Sequence, residues 1–451
     1  MAPAAAGYAP NLEKYLKSLK GQHLELTIEN LVSLLKRGQI SGAEDCAVAT
    51  AHCLLQVVAK SKWQDVDTLI YNVSRTGNRL ARALPHELVI SNVARRVLGL
   101  IRDEAAETRN EPPSETPSEG QMTPSDAPTN ATALSQQWPP STGSNGPKPP
   151  PRPAMMRPGT TVGPGIPRTL SHLLSASPAM EGDGHLSPAG TSGTSTPLQR
   201  GGGTSSSQVH ALKSEVIDGI EEIMDEISQV DDQIGALADI HIRPGDHILV
   251  HQPSRTVSRF ILRAAVKRKF TVLIASQPPP RVKKGEEDPY ASFRKKLSSA
   301  GVSVINITCG GVMAYMSLVN KVIMGASAVV AGGGVISDAG AAAIARAAKE
   351  YGIPIVVLAG IYKFSPSNPY RDDDVVQWAN PMTYVSFAEG QLVSTNGCLV
   401  KTAVNEVISA QLIDTYVTNL GTHSRAHLSG LIADHYKPED MDLHLWEMND
   451  P

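Results

Sequence analysis

Asn320-Lys-Val-Ile-Met-Gly-Ala-Ser-Ala-Val-Val-Ala-Gly-Gly-Gly334 decides the fold. It reads as an αβ step that delivers a strand into a glycine cluster, with no acid, base or nucleophile at the cluster. The apolar run Ala328 to Ala331 suits a buried parallel strand, and Asp338 to Glu350 has the Ala-rich 3.6-residue period of a helix packed on a sheet. Pro354 to Ala359 is the next expected strand. Ligands collect at the carboxyl ends of strands in open α/β sheets, so residues 332–338 and 360–366 mark the expected edge of a site.

Working outward, the segment from Arg243-Pro-Gly-Asp246 onward alternates strand and helix patterns. Strands are expected at His247 to His251, Thr271 to Ala275, Val302 to Ile307, Ala328 to Ala331 and Ile355 to Leu358. Helices are expected at Thr256 to Lys267, Tyr290 to Ala300, Val312 to Val319 and Asp338 to Glu350. Short connections between alternating elements imply a Rossmann-like, doubly wound parallel sheet in residues 241–451. The tail segments Val404 to Asn419 and Ser424 to His435 also read as helical.

The first 106 residues carry five amphipathic patterns, Leu12 to Leu19, Ile28 to Leu35, Ala43 to Val58, Val66 to Leu84 and Leu88 to Ile101, and are expected to form a helical domain. Residues 107–207 are rich in Pro, Ser, Gly and Thr with almost no periodic apolar signal, the composition of a disordered insertion. Residues 208–240 return to a helical stripe of Val216, Ile220, Ile223, Ile227, Val230 and Ile234, expected to complete the helical layer; a short coiled coil is the competing reading.

The whole chain has 451 residues and a formal charge of −3. That balance argues against a mainly electrostatic nucleic-acid binder. Cys46, Cys53, Cys309 and Cys398 are too scattered for a disulfide framework or a CxxC zinc site, so a reducing, cytosolic setting is expected with no metal. No apolar run approaches the roughly 20 residues of a membrane span.

Candidate sites are few. Gly332, Gly333 and Gly334 with Asp338 at an expected helix start form either an anion cradle or a plain strand-to-helix turn. They fit neither G-x-G-x-x-G nor the P-loop pattern, and no cofactor is implied. Gln252-Pro-Ser-Arg-Thr256 follows the first strand and opens a helix, where either Arg255 with the Ser254 and Thr256 hydroxyls contacts a phosphate or Ser254 simply caps the helix. Cys309 ends a strand, but no neighbour in sequence supplies a base. His251 sits at another strand end with no recognisable ligand set.

Several segments together resemble the alpha, beta and delta regulatory-subunit family of eukaryotic translation initiation factor 2B. They are Ile90-Ser-Asn-Val-Ala-Arg-Arg-Val-Leu-Gly-Leu-Ile-Arg-Asp103, Ser254-Arg-Thr-Val257, Met316-Ser-Leu-Val-Asn-Lys-Val-Ile-Met-Gly325, Tyr362-Lys-Phe-Ser-Pro366 and His435-Tyr-Lys-Pro-Glu-Asp440. Val-Asn-Lys-Val-Ile and Lys-Phe-Ser-Pro look most like beta chains. The wider superfamily includes sugar-phosphate isomerases that use a cysteine after the first strand and the aspartate of an Ala-Asn-Gly-Asp motif. By motif, Gln252 stands at the cysteine position, and Ala331-Gly-Gly-Gly334 puts Gly334 at the acid. The resemblance therefore implies a noncatalytic regulatory subunit with a degenerate pocket, joined to alpha, gamma, delta and epsilon subunits. It further implies that the helical domain faces initiation factor 2 and its phosphorylated alpha subunit. Arg75, Arg79 and Arg82, on one side of the Val66 to Leu84 helix, are the candidate contacts; pairing with neighbours such as Asp65 is the structural alternative. The alternatives of the same fold are an active sugar-phosphate isomerase and a sugar-phosphate or nucleotide sensor without turnover.

Overall fold

A computed structural model describes residues 10–108, 206–276, 288–368, 375–379, 401–441 and 443. The expected insertion at 107–207 lies almost wholly outside them, as does Cys398. The described residues belong to one compact unit.

Five helices open the chain: α1 (Pro10–Ser18), α2 (Leu24–Lys36), α3 (Ala43–Lys60), α4 (Val66–Ala83) and α5 (Leu88–Thr108). Asp65 starts α4 by accepting a hydrogen bond from the Thr68 amide at 2.6 Å, the capping that satisfies an orphan donor of the first turn. Asp65 is thus a helix cap. The long helix α6 (Ser206–Ala236) packs on α3 and α5. Its stripe of Val216, Ile220, Ile223, Ile227, Val230 and Ile234 is buried throughout. A four-residue helix, α7 (Ala238–His241), leads into the sheet.

The main sheet has seven strands: β1 (His247–His251), β2 (Thr271–Ser276), β3 (Ser303–Thr308), β4 (Lys321–Gly325), β7 (Ile355–Leu358), β10 (Thr415–Thr418) and β11 (Gly421–His423). Their order is β11-β10-β7-β4-β1-β2-β3. All neighbours are parallel except β10 and β11. Alternation divides its side chains between two cores. Ile248, Val250, Val272 and Ile274 face the helical layer, joined by Phe260 and Ile261 of α8 (Arg255–Ala265). Leu249, Leu273, Val322 and Val357 face the other side, against α11 (Ala341–Glu350) and α12 (Leu428–His435). Two helices come between these in the chain: α9 (Ala291–Ser299) and the single turn α10 (Val312–Tyr315).

A second sheet has the order β8-β5-β6-β9, formed by β5 (Ala328–Val330), β6 (Val335–Asp338), β8 (Phe364–Ser365) and β9 (Asn405–Ile408). This corrects the expectation at the decisive stretch. Lys321–Gly325 enters the main sheet, whereas Ala328–Val330 pairs antiparallel with β6. Both runs are apolar and short, so their composition does not distinguish them. Val404 to Asn419, expected to be helical, forms β9 and β10 instead. Val404, Val407, Ile408, Leu412 and Ile413 fall at helical spacing, yet pairing with β6 and β7 outweighs that local pattern.

Candidate functional site

The carboxyl ends of β1, β3 and β6 converge on one place. Gln252 follows β1 with φ of 37°, and is the one non-glycine residue with positive φ among the described residues. Its amide donates to Ala275 O at 3.0 Å and its side-chain Nε2 donates to Ala339 O at 3.4 Å. A non-glycine side chain held in this region persists only where surrounding bonds over-determine it.

Ser254 is the N-cap of α8, accepting from the Val257 amide at 3.4 Å. It packs so closely on β4 that a Cβ added at Gly325 would lie 2.7 Å from its Oγ. Arg255 turns to the helical layer, with Nη1 3.0 Å from Glu44 and Nε 3.7 Å from Asp231. Asp231 also accepts from the Thr256 hydroxyl at 2.7 Å. Of the two sequence readings for this segment, capping by Ser254 is the geometry observed; the pairing of Arg255 with two carboxylates is seen only in the structure.

Gly332, Gly333 and Gly334 do not lead into a helix. They turn the β5–β6 hairpin, closed by Val330 N to Gly334 O at 2.9 Å and Gly333 N to Val330 O at 2.8 Å. Gly333 has φ of 86°, a conformation that L side chains rarely adopt. The Tyr416 hydroxyl donates to its carbonyl. Asp338 lies at the far end of β6, about 13 Å from Gly334 at strand rise, so the glycines and Asp338 occupy opposite ends of the strand. Gln252, through Ala339, belongs with the Asp338 end, while Ser254 packs on Gly325.

The helix start expected at Asp338 lies instead at Gly340, the N-cap of α11. Its anion position is already filled. Glu406 of β9 accepts from the Gly340 and Ala342 amides, both at 2.7 Å, placing a carboxylate where the helix dipole favours negative charge. Burial pushes the Asp338 carboxyl up, opposed by His251 and Lys363.

Two pairings were invisible in the linear order. Cys309 Sγ lies 3.7 Å from His251 Nδ1, across 58 residues. Lys363 is buried between the helical layer and β5, donating to Ala326 O at 3.0 Å. Residues 360–366 thus do not edge an open site: Asn92 donates to Tyr362 O at 3.2 Å, which ties this segment under α5. Among the described residues, no group of three His, Cys, Asp or Glu side chains is placed to hold a metal.

A second feature lies on the helical layer. Arg75, Arg79 and Arg82 of α4 share a cleft of about 350 Å³ with Val32 and Lys36 of α2 and with Ala83. Arg79 pairs with Glu25 and, at 3.4 Å, with Glu29. The sequence placed the three arginines on one side; only the packing of α2 on α4 adds Lys36 and the two glutamates.

The chain is 29% identical over 435 residues to "Translation initiation factor eIF2B subunit beta" of Schizosaccharomyces pombe, covering 95% of this chain and 100% of that one. A chain of the tetrameric eIF2B-beta2-delta2 complex from C. thermophilum aligns with a TM-score of 0.62 and 40% identity, over 95% of this chain and 100% of that one. Ribose 1,5-bisphosphate isomerase of Pyrococcus furiosus is 27% identical over 48% of this chain and 65% of its own length. The pattern of the Initiation factor 2 subunit family matches residues 39–158 and 184–424, and the chain belongs to that family.

Proposed function

We propose that this chain is a noncatalytic, beta-type regulatory subunit of the guanine nucleotide exchange factor for translation initiation factor 2. In this reading it acts in the cytosol with alpha, gamma, delta and epsilon subunits, and responds to phosphorylation of the initiation factor 2 alpha subunit. The observation that carries the noncatalytic reading is Glu406: the helix N-terminus at the carboxyl edge of the sheet is plugged by the chain's own carboxylate. Gln252 offers no thiol and Gly334 no carboxylate, so the two groups that proton transfer on a sugar would use are missing. Binding and assembly remain as roles for the scaffold.

Phosphate sensing is assigned to the cleft of Lys36, Arg75, Arg79 and Arg82. A phosphate carries close to two negative charges and competes with Glu25 and Glu29 for Arg79. Exposed pairs of that kind contribute about 0–1 kcal/mol each. A charge-assisted phosphate bond is worth about 1.5–3 kcal/mol, so exchange of partners is favourable.

The test is purification of the tagged native chain, identification of its companions, and exchange assays on the assembled complex. Companion subunits should be recovered, and Arg79→Glu, alone and with Arg75→Glu, should relieve inhibition by phosphorylated substrate about tenfold while basal exchange persists. Unchanged inhibition in an intact complex would remove this face from the sensing role. Turnover of ribose phosphates by the purified chain would favour the isomerase reading instead.

A further inference from the structure

The thiol–imidazole pair at the ends of β1 and β3 has no part in the proposed function. His251 is 3% exposed, and its Nε2 lies 3.0 Å from Ala339 O. A carbonyl oxygen only accepts, so Nε2 carries the ring proton and the Nδ1 lone pair faces Cys309 Sγ at 3.7 Å. A nucleophile, a base within reach and a third group that orients the base are the parts of an activated thiol.

The surroundings fit that role. Burial is the largest influence on His251 and holds its pKa below the usual imidazole value, so the ring rests neutral; the Ala339 and Ala275 carbonyls and the Asp338 and Glu406 carboxylates oppose it in part. A neutral ring is the form that can take a proton, and these four groups limit the cost of the imidazolium that results. Tyr290 feels the charges of both Asp338 and Cys309, and Lys363 opposes the burial of Asp338 electrostatically. Burial pushes the Cys309 thiol up, so at rest the sulfur keeps its proton and needs a base to react. Approach is open: Cys309 is only half-buried, and a Cβ added at the following Gly310 would meet nothing within 4 Å. Cys46 and Cys53 are buried in the helical core.

We propose that Cys309 is a covalent modification site for small, neutral, soft electrophiles of the α,β-unsaturated carbonyl class, with His251 as the base that takes the thiol proton. Sγ bonds to the β-carbon, and the C=C electron pair moves to the α-carbon. The thiol proton passes to His251 Nδ1 and returns to the α-carbon. Nothing leaves, and no oxidant is consumed. The two nearby carboxylates repel anionic reagents, which sets the preference for neutral ones.

The test uses the full chain with acrylamide and, as a second neutral probe, iodoacetamide, the rate at each cysteine being read by peptide mass mapping. With iodoacetamide the S–C bond forms as C–I breaks, iodide leaves, and the proton passes through His251 to water. Cys309 should react at least about tenfold faster than Cys46 and Cys53 in the folded chain, because of these three described cysteines it alone has a base and access. Between pH 6 and 8 the logarithm of its rate should rise by well under one per pH unit, whereas an unassisted thiol of raised pKa rises by about one. His251→Asn should slow Cys309 about tenfold with the melting transition retained. If that variant does not fold, the pH profile of the unaltered chain decides. Reaction no faster than at the buried cysteines, a unit slope, or an unchanged rate in folded His251→Asn would each overturn the proposal.

Discussion

Replacing Glu406 with alanine should both weaken the fold and create an anion site. Glu406 Oε1 accepts two amide hydrogen bonds of 2.7 Å from the first turn of α11. Bonds to a charged acceptor contribute about 1.5–3 kcal/mol each. Favourable placement at a helix N-terminus adds about 0.3–1 kcal/mol. Glu406 is half-buried, so water recovers part of this in the variant, and a net loss of about 2–3 kcal/mol is expected. Glu406→Gln keeps an acceptor and loses only the charge; its cost should be about 1 kcal/mol. Urea unfolding should report a lower midpoint with unchanged slope. The freed amides then attract a substitute anion. Inorganic phosphate at ten times its Kd would restore about 1.4 kcal/mol to Glu406→Ala by mass action, and nothing to the unaltered chain. Equal stability of the two proteins, or equal stabilisation of both by phosphate, would refute the view that Glu406 plugs this site.

Gly77 stands where α4 crosses α5, and a Cβ there would lie 2.7 Å from the Ala94 Cβ. Gly77→Ala gains about 1 kcal/mol of helix propensity but incurs about 1–3 kcal/mol of overpacking, so urea unfolding should show a net loss. Arg102 donates to both carboxylate oxygens of Asp440 at 2.9–3.1 Å, and the Asp440 side chain is fully buried. Arg102→Ala should cost about 3 kcal/mol by leaving that carboxyl without its cation, and adding Asp440→Asn should recover part of it. Burial pushes the Glu87 carboxyl up from 4.5 to about 7, with Lys363 opposing. Because its folded pKa lies above its unfolded one, the contribution is full below about pH 4.5 and is lost as pH rises through about 7. Glu87→Gln should flatten that fall in a stability–pH series; an identical profile in both proteins would remove Glu87 as its source.

Much of the fold was legible because its periods are local. The stripe from Val216 to Ile234 repeats every three or four residues, and burial follows it without exception. β1 and β7 fall where their apolar runs place them. The runs at Lys321–Gly325 and Ala328–Val330 differ in partner, not in composition, and the partner decides which sheet each enters. The Val404 to Asn419 segment carries a helical spacing that strand pairing overrides.

The candidate sites divide in the same way. Sequence alone determined that residue 252 is a glutamine and residue 334 a glycine, and that Arg75, Arg79 and Arg82 share a helix face, because residue identity and helical period are properties of the chain itself. Tertiary structure alone decided that the Gly332 to Gly334 cluster turns a hairpin, that Glu406 fills the α11 N-terminus, and that His251 meets Cys309. Glu406 lies 64 to 66 residues from the amides it binds. Contacts over such distances depend on strand order and register, which burial and pairing across the whole sheet fix together and which no local window contains.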